Sequence, residues 1–191
     1  MEQVFQFVKL GFEHISDVGG YDHILFIASM CAYYSFKEWK SLTLLVTAFT
    51  VGHSISLILS VLGWVAVNSQ LIEALIPITI LFTSIFNILS LSSWTPQSMS
   101  IKYLTTIGFG VIHGLGFSNF FKIIFSEGMS VTIPLLSFNI GLEIGQLGIV
   151  CSILLLKYIV DFIKPVKYYY WVWIISCICG VLSILMLIDR I

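Results

Sequence analysis

Charge is what this sequence has least of. Its 191 residues include nine Lys and Arg and ten Asp and Glu, 10% together, where a soluble domain usually has about 25%. With 58% hydrophobic residues and a mean hydropathy of +1.02, the chain cannot hide its apolar surface from water and belongs in a bilayer. A net charge of −1 leaves no basic surface for nucleic acid. No cleavable signal peptide is expected. Met1 to Leu10 is interrupted by Glu2, Gln3, Gln6 and Lys9 and lacks a small-residue cleavage site, so it reads as an amphipathic lead-in lying at the membrane interface. Cysteine chemistry is also missing. Cys31, Cys151, Cys177 and Cys179 all sit in apolar runs, and Cys177 and Cys179 are too close for a CxxC redox or zinc motif. They are expected to be packing residues. Nor are there the alternating segments of about ten residues that mark a membrane β-barrel.

What the chain does have is long apolar runs, and helices are the default for them because lipid offers the backbone no hydrogen bonds. The expected fold is all-α, a six-span helical bundle forming a single membrane domain over residues 1–191. The spans are read at 20–36, 42–63, 70–91, 103–121, 131–160 and 168–188, each near the ~20 residues needed to cross the hydrocarbon. Pro134 falls in a first helical turn, where proline is tolerated, and the polar stretch from Ser92 to Ser98 reads as a linker. Lys37, Lys40, Lys102, Lys157, Lys164 and Lys167 follow spans one, three and five, against Lys9, Lys122 and Arg190 on the other side. This bias predicts both termini outside, which in a bacterium is the periplasmic side of the inner membrane. Trp39 and the run Tyr168-Tyr169-Tyr170-Trp171 fit an interfacial aromatic belt.

Against this background the polar residues inside the spans stand out. In the second span Thr50, His53, Ser56 and Ser60 fall on one helical stripe. In the fifth, Asn139, Glu143 and Gln146 share one face, while Gly141, Gly145 and Gly148 lie roughly opposite, where a neighbouring helix can approach. His113 sits between glycines in the fourth span, and Glu73, Ser84 and Asn87 share a face of the third. Asp22 and His23 open the first. Intramembrane ionisable groups are costly and functional by default. The topology puts Asp22, His23 and Glu73 at the outer edge, and His53, His113 and Glu143 near mid-depth. Imidazole and carboxylate donors fit a divalent transition metal such as Ni, Co or Zn, held between facing helices. The expected metal ligands are Asp22, His23, His53, His113 and Glu143. His14, Asp17, Glu73, Asn139 and Gln146 are expected to serve as an access site or to support the ligands. Phe49-Thr50-Val51-Gly52-His53 and Phe109-Gly110-Val111-Ile112-His113 share an F-x-V-x-H pattern, a faint internal echo.

These segments also resemble a known family. Gly11-Phe12-Glu13-His14-Ile15, Gly20-Tyr21-Asp22-His23-Ile24-Leu25-Phe26, Phe49-Thr50-Val51-Gly52-His53-Ser54, Phe109 to Phe117 and Phe138 to Gln146 are similar to the HupE/UreJ membrane proteins. The resemblance implies a six-helix nickel or cobalt permease of the kind associated with hydrogenase and urease maturation. The Asp22-His23 pair carries over. In nickel-linked members, however, a histidine stands closer to that pair than His14 does, and a second motif has two histidines where this chain has only His113.

Three readings of function follow. The first is a metal-ion permease, in which His14, Asp22 and His23 receive a cation and His53, His113 and Glu143 pass it inward. The second is a membrane metalloenzyme of zinc type, with a metal-bound water as nucleophile and Glu143 or Asp22 as base, acting on a lipid or membrane peptide. The third is an accessory subunit whose polar residues only fix helix packing. The first makes the chain a transporter rather than an enzyme. The expected partners are a metal ion and membrane lipids, and a homo-oligomer is compatible with the sequence.

Overall fold

The chain folds into helices wherever the apolar runs predicted them, with one redistribution near the N-terminus. The computed structural model describes residues 1–65, 68–91, 98–124 and 131–191, so most of the linker from Ser92 to Ser98 lies outside the described residues. The helices are α1 (Glu2–Ser16), α2 (Asp22–Ala32), α3 (Trp39–Val61), α4 (Ser69–Ser90), α5 (Met99–Ile124), α6 (Thr132–Ile163) and α7 (Tyr168–Arg190), and among the described residues there is no strand. Five of them, α3 to α7, are long and apolar enough to cross a membrane.

The first expected span, 20–36, is only eleven helical residues, Asp22–Ala32. At 1.5 Å per residue that is about 16 Å, roughly half the hydrocarbon thickness. Leu25, Phe26, Ile27, Met30, Cys31 and Ala32 are all buried, so α2 is enclosed by protein on nearly every side rather than facing lipid. The lead-in also differs from the expectation. Instead of standing apart, α1 packs along α6 through Phe7, Gly11 and Ile15, spaced by four residues on one face. A Cβ on Gly11 would collide with the carbonyl of Phe138, and one on Gly141 with the carbonyl of Val8. The two helices therefore touch backbone to backbone, as small residues allow in membranes.

A second intimate pair is α3 with α5. A Cβ on Gly52 would strike the carbonyl of Ile107, and one on Gly110 the carbonyl of Phe49. In both pairs the contacts advance together along the two chains, so α1 runs parallel to α6 and α3 parallel to α5. The F-x-V-x-H echo now has a geometric meaning: Phe49 and Phe109, and His53 and His113, sit at matching heights on two parallel helices. The third pair, α4 and α7, is antiparallel, with Ser84 beside Gly180 and Arg190 reaching the carbonyl of Glu73. Buried hydroxyls and amides tie α2 to it. Ser29 Oγ lies 3.1 Å from Ser84 Oγ, and Asn87 donates to the Ser29 carbonyl at 2.7 Å and to Ser176 Oγ at 3.3 Å.

The end of the bundle where α3, α5 and α7 begin carries Lys37, Lys40, Lys102, Lys164 and Lys167, and is called the lysine end below. There Tyr168 donates to the Tyr33 carbonyl at 2.8 Å, and Lys102 lies over the rings of Tyr33 and Tyr34 at 4.7 and 5.1 Å. These contacts pin the last turn of α2 to the starts of α5 and α7.

Candidate metal centre

The break between α1 and α2 is what assembles the site. Asp17 ends α1, and its Oδ1 accepts the Gly19 amide at 2.8 Å, closing a tight turn through Gly19 and Gly20. The chain then starts α2 with Asp22 and His23 beside the last turn of α1. Asp17 is thus exposed and engaged in the turn. His14 and His23 come to a ring separation of 4.7 Å, and His53 approaches them at 5.7 and 6.2 Å. His113 lies 5.0 Å from His23. All four histidines of the chain therefore gather in one place. One nitrogen from each of His14, His23 and His53 lies within 4.8 Å of the others. Bonds of about 2.0–2.1 Å to a tetrahedral ion need nitrogens roughly 3.3 Å apart, so small side-chain rotations would close this group on a metal.

The ring nitrogens are mostly without partners. His14 Nε2, His23 Nε2, both nitrogens of His53 and His113 Nδ1 are buried and find no hydrogen bond among the described residues. Buried polar atoms are normally satisfied, and leaving one bare costs about 1–3 kcal/mol. His53 is 0% exposed and pays this twice. Hydrogen bonds on the far sides of two rings set which nitrogen is bare. Asp22 Oδ1 lies 2.9 Å from His23 Nδ1, which assigns the ring proton to Nδ1 and leaves a lone pair on Nε2. Thr79 Oγ1 donates to the Ile76 carbonyl at 2.7 Å, so His113 Nε2, 3.1 Å from the same oxygen, must be the donor to it. That leaves the lone pair on His113 Nδ1. A carboxylate or hydroxyl behind a histidine is the usual second layer of a metal site.

The surroundings are aromatic and dry. His14 stacks on Phe117 at 3.9 Å, His53 faces Phe138 at 6.0 Å, and Phe26 and Phe49 stand 5.4 and 5.3 Å from His113. On the lysine side of this layer, Phe26 and Phe109 form one wall of a cavity of about 160 Å³, which Met30, Thr83, Asn87 and Lys102 also line.

Of the other sequence candidates, Asp22 stands directly behind His23, and the rest fall outside the group of four rings. Both oxygens of Asp22 are taken, Oδ1 by His23 and Oδ2 by Arg190 at 3.1 Å. Glu143 accepts from Thr47 Oγ1 at 2.6 Å. Thr47 is six residues before His53, so this pair sits about 9 Å toward the lysine end. Gln146 accepts from Thr50 at 2.8 Å on the same α3–α6 seam, with its Nε2 unpartnered. Asn139 Oδ1 is likewise buried and unpartnered. The side chain of Glu73 is exposed, and it is the backbone carbonyl that is engaged, by Arg190 at 3.2 Å. Sequence reasoning gave no role to Thr79, Arg190 or the phenylalanine shell. Thr79 and Arg190 act on the histidines from helices distant in sequence, and no local spacing marks them.

A family model for the HupE / UreJ protein matches residues 1–189. The chain belongs to the HupE/UreJ family. It is a helical membrane protein of that family, which is linked to metal handling, and the matched stretch contains the four gathered histidines. No curated protein matches the chain, and no solved structure does. The donor set fits a metal ion: nitrogen donors with lone pairs turned inward suit late first-row divalent ions.

Proposed function

We propose that this HupE/UreJ protein is a permease for a divalent transition metal ion, of nickel or cobalt type, and that His14, His23, His53 and His113 are its intramembrane relay. The observation that carries the reading is the convergence of four imidazoles, three of them buried and that of His14 half-buried, with ring nitrogens that find no partner among the described residues. Such a cluster is a poor choice for holding helices together, because glue must be satisfied to stabilise. Asp22 and Thr79 orient two of the rings. Glu143, whose carboxylate meets Thr47 toward the lysine end, is the next donor inward, with Gln146 and Thr50 on the same α3–α6 seam.

We assign the sixth crossing to α1 and α2 together, as a broken helix interrupted at 17–21 beside the histidines. Their fifteen and eleven residues amount to about 39 Å, enough to cross. Broken helices in membranes occur where they line a cavity or a site. The lysine end is assigned to the cytoplasm by the positive-inside bias. The metalloenzyme reading is weaker on this geometry, because neither nearby carboxylate is free as a base: Asp22 is held by His23 and Arg190, and Glu143 by Thr47.

The test is uptake into proteoliposomes loaded with a metal-sensitive dye. Wild-type protein is expected to admit Ni²⁺ or Co²⁺, and His53→Ala and His23→Ala to reduce uptake to the level of empty vesicles. Equal uptake by wild type and both variants would remove the histidines from the path.

A further inference from the structure

At the end opposite the lysines, a positive charge covers the carboxylate that stands behind His23. A shallow groove opens there between the start of α4 and the last turn of α7, lined by Asn68, Gln70, Leu71, Ala74, Arg190 and Ile191. The guanidinium of Arg190 forks at its inner side. Nη2 donates to Asp22 Oδ2 at 3.1 Å, and Nη1 donates to the Glu73 carbonyl at 3.2 Å. That carbonyl is free for a reason written in the sequence. Pro77, four residues on, lies inside α4 and has no N–H to give it. Behind Asp22 stands His23, at 2.9 Å. Groove, Arg190, Asp22 and His23 therefore form one line from the surface to a ring nitrogen facing the cluster. The Arg190 side chain is 24% exposed and that of Asp22 10%, so the guanidinium bridges the outside and the buried carboxylate.

We propose that Arg190 is the charge gate of the histidine cluster, holding the carboxylate of Asp22 until a divalent cation entering by the α4–α7 groove displaces it. The proposal rests on the metal-permease reading. Two positive charges compete for one carboxylate at low effective dielectric, and the fixed one disfavours occupancy by the mobile one. Once Arg190 swings out, Asp22 Oδ2 faces the incoming ion directly, while Oδ1 keeps the Nε2 lone pair of His23 turned toward the cluster. Arg190 is a positioning residue here, since it acts through Asp22 and touches no ligand nitrogen.

A purely structural brace predicts the opposite sign, which makes the role testable. If Arg190 only sets Asp22 and His23, its removal weakens metal binding. If it is a gate, removal strengthens and speeds binding. The experiment titrates the full chain in detergent with Ni²⁺, Co²⁺ and Zn²⁺ against a chromogenic chelator, with stopped-flow association. Arg190→Gln is expected to bind about tenfold tighter and to associate faster, the size expected for removing a unit charge within several ångström of a divalent ion even under solvent-like screening. Arg190→Lys keeps the charge and is expected to stay near wild type. Pro77→Ala keeps Arg190 but gives Glu73 its own helical donor, and is expected to loosen the gate by about two- to threefold, within the strength of a single hydrogen bond. It serves as the second variant should Arg190→Gln fail to fold. Weaker or unchanged binding in Arg190→Gln, or unchanged binding in Pro77→Ala when Arg190→Gln does not fold, overturns the gate while leaving the metal site in place. A wild type that binds none of the three ions overturns both.

Discussion

Among the described residues both ring nitrogens of His53 are without a partner, in a position with no exposure at all. If this is stability given up for a site, it has a measurable consequence. His53→Leu is expected to raise the melting temperature of the metal-free protein in detergent, by the order of 1–2 kcal/mol recovered from unpaired buried nitrogens. The same variant should lose any stabilisation by added metal. A lower melting temperature would mean that the imidazole has a structural partner. At Asp22 the expectation runs the other way. Asp22→Asn keeps the shape but removes the charge behind His23, and metal affinity is expected to fall about 10- to 100-fold by chelator competition. His23, His53 and His113 were legible in the sequence because an ionisable group in an apolar run has few bland explanations. The place of His14 was only half legible. Its partners depend on a turn at 17–21 that folds α2 against the end of α1, and no spacing rule reports that. Thr79 and Arg190 were hidden for the same reason, since each meets its partner across the bundle.

At the scale of the helix the glycines decide the architecture. Gly141 faces the backbone of α1, whereas a Cβ at Gly148 meets nothing within 4 Å. Gly141→Val is therefore expected to destabilise by about 3 kcal/mol or more, or to prevent accumulation of folded protein, because the obstructing atoms are backbone and cannot move aside. Gly148→Ala is expected to be neutral within about 0.5 kcal/mol or slightly stabilising, read by the same thermal melt. The sequence showed the two faces of α6, polar on one side and glycine on the other, because a 3.6-residue period sorts them. It also located α3 to α7, whose lengths and hydropathy leave little choice. It misjudged the first span. Hydropathy cannot separate an eleven-residue helix wrapped in protein from one that crosses lipid, and the residues around Tyr33 to Phe36 extend the apolar run without extending the helix. The same logic hid the partnership of α1 and α6, since a helix of fifteen residues with four polar or charged positions near its start reads as peripheral until its buried face is known.

For the whole molecule the picture is two parallel helix pairs, α1–α6 and α3–α5, held against an antiparallel pair, α4–α7, with α2 enclosed and the histidines at the junction. On the permease reading, this arrangement separates holding an ion from moving it. Glu143 lies outside the histidine group, so Glu143→Gln is expected to keep the metal stoichiometry of the detergent-solubilised protein while slowing vesicle uptake several-fold. Loss of metal along with transport would place Glu143 in the binding site itself. Acid should act on binding, because metal and proton compete for the same imidazole lone pairs. Affinity is expected to fall as pH drops, and more steeply than one proton per decade, since several rings must be neutral together. The most direct measurement is metal content by elemental analysis after incubation of purified wild type, His23→Ala and His53→Ala with Ni, Co and Zn. About one ion per wild-type chain and none in either variant is expected. Metal-free wild type, or variants that keep a full complement, would contradict it.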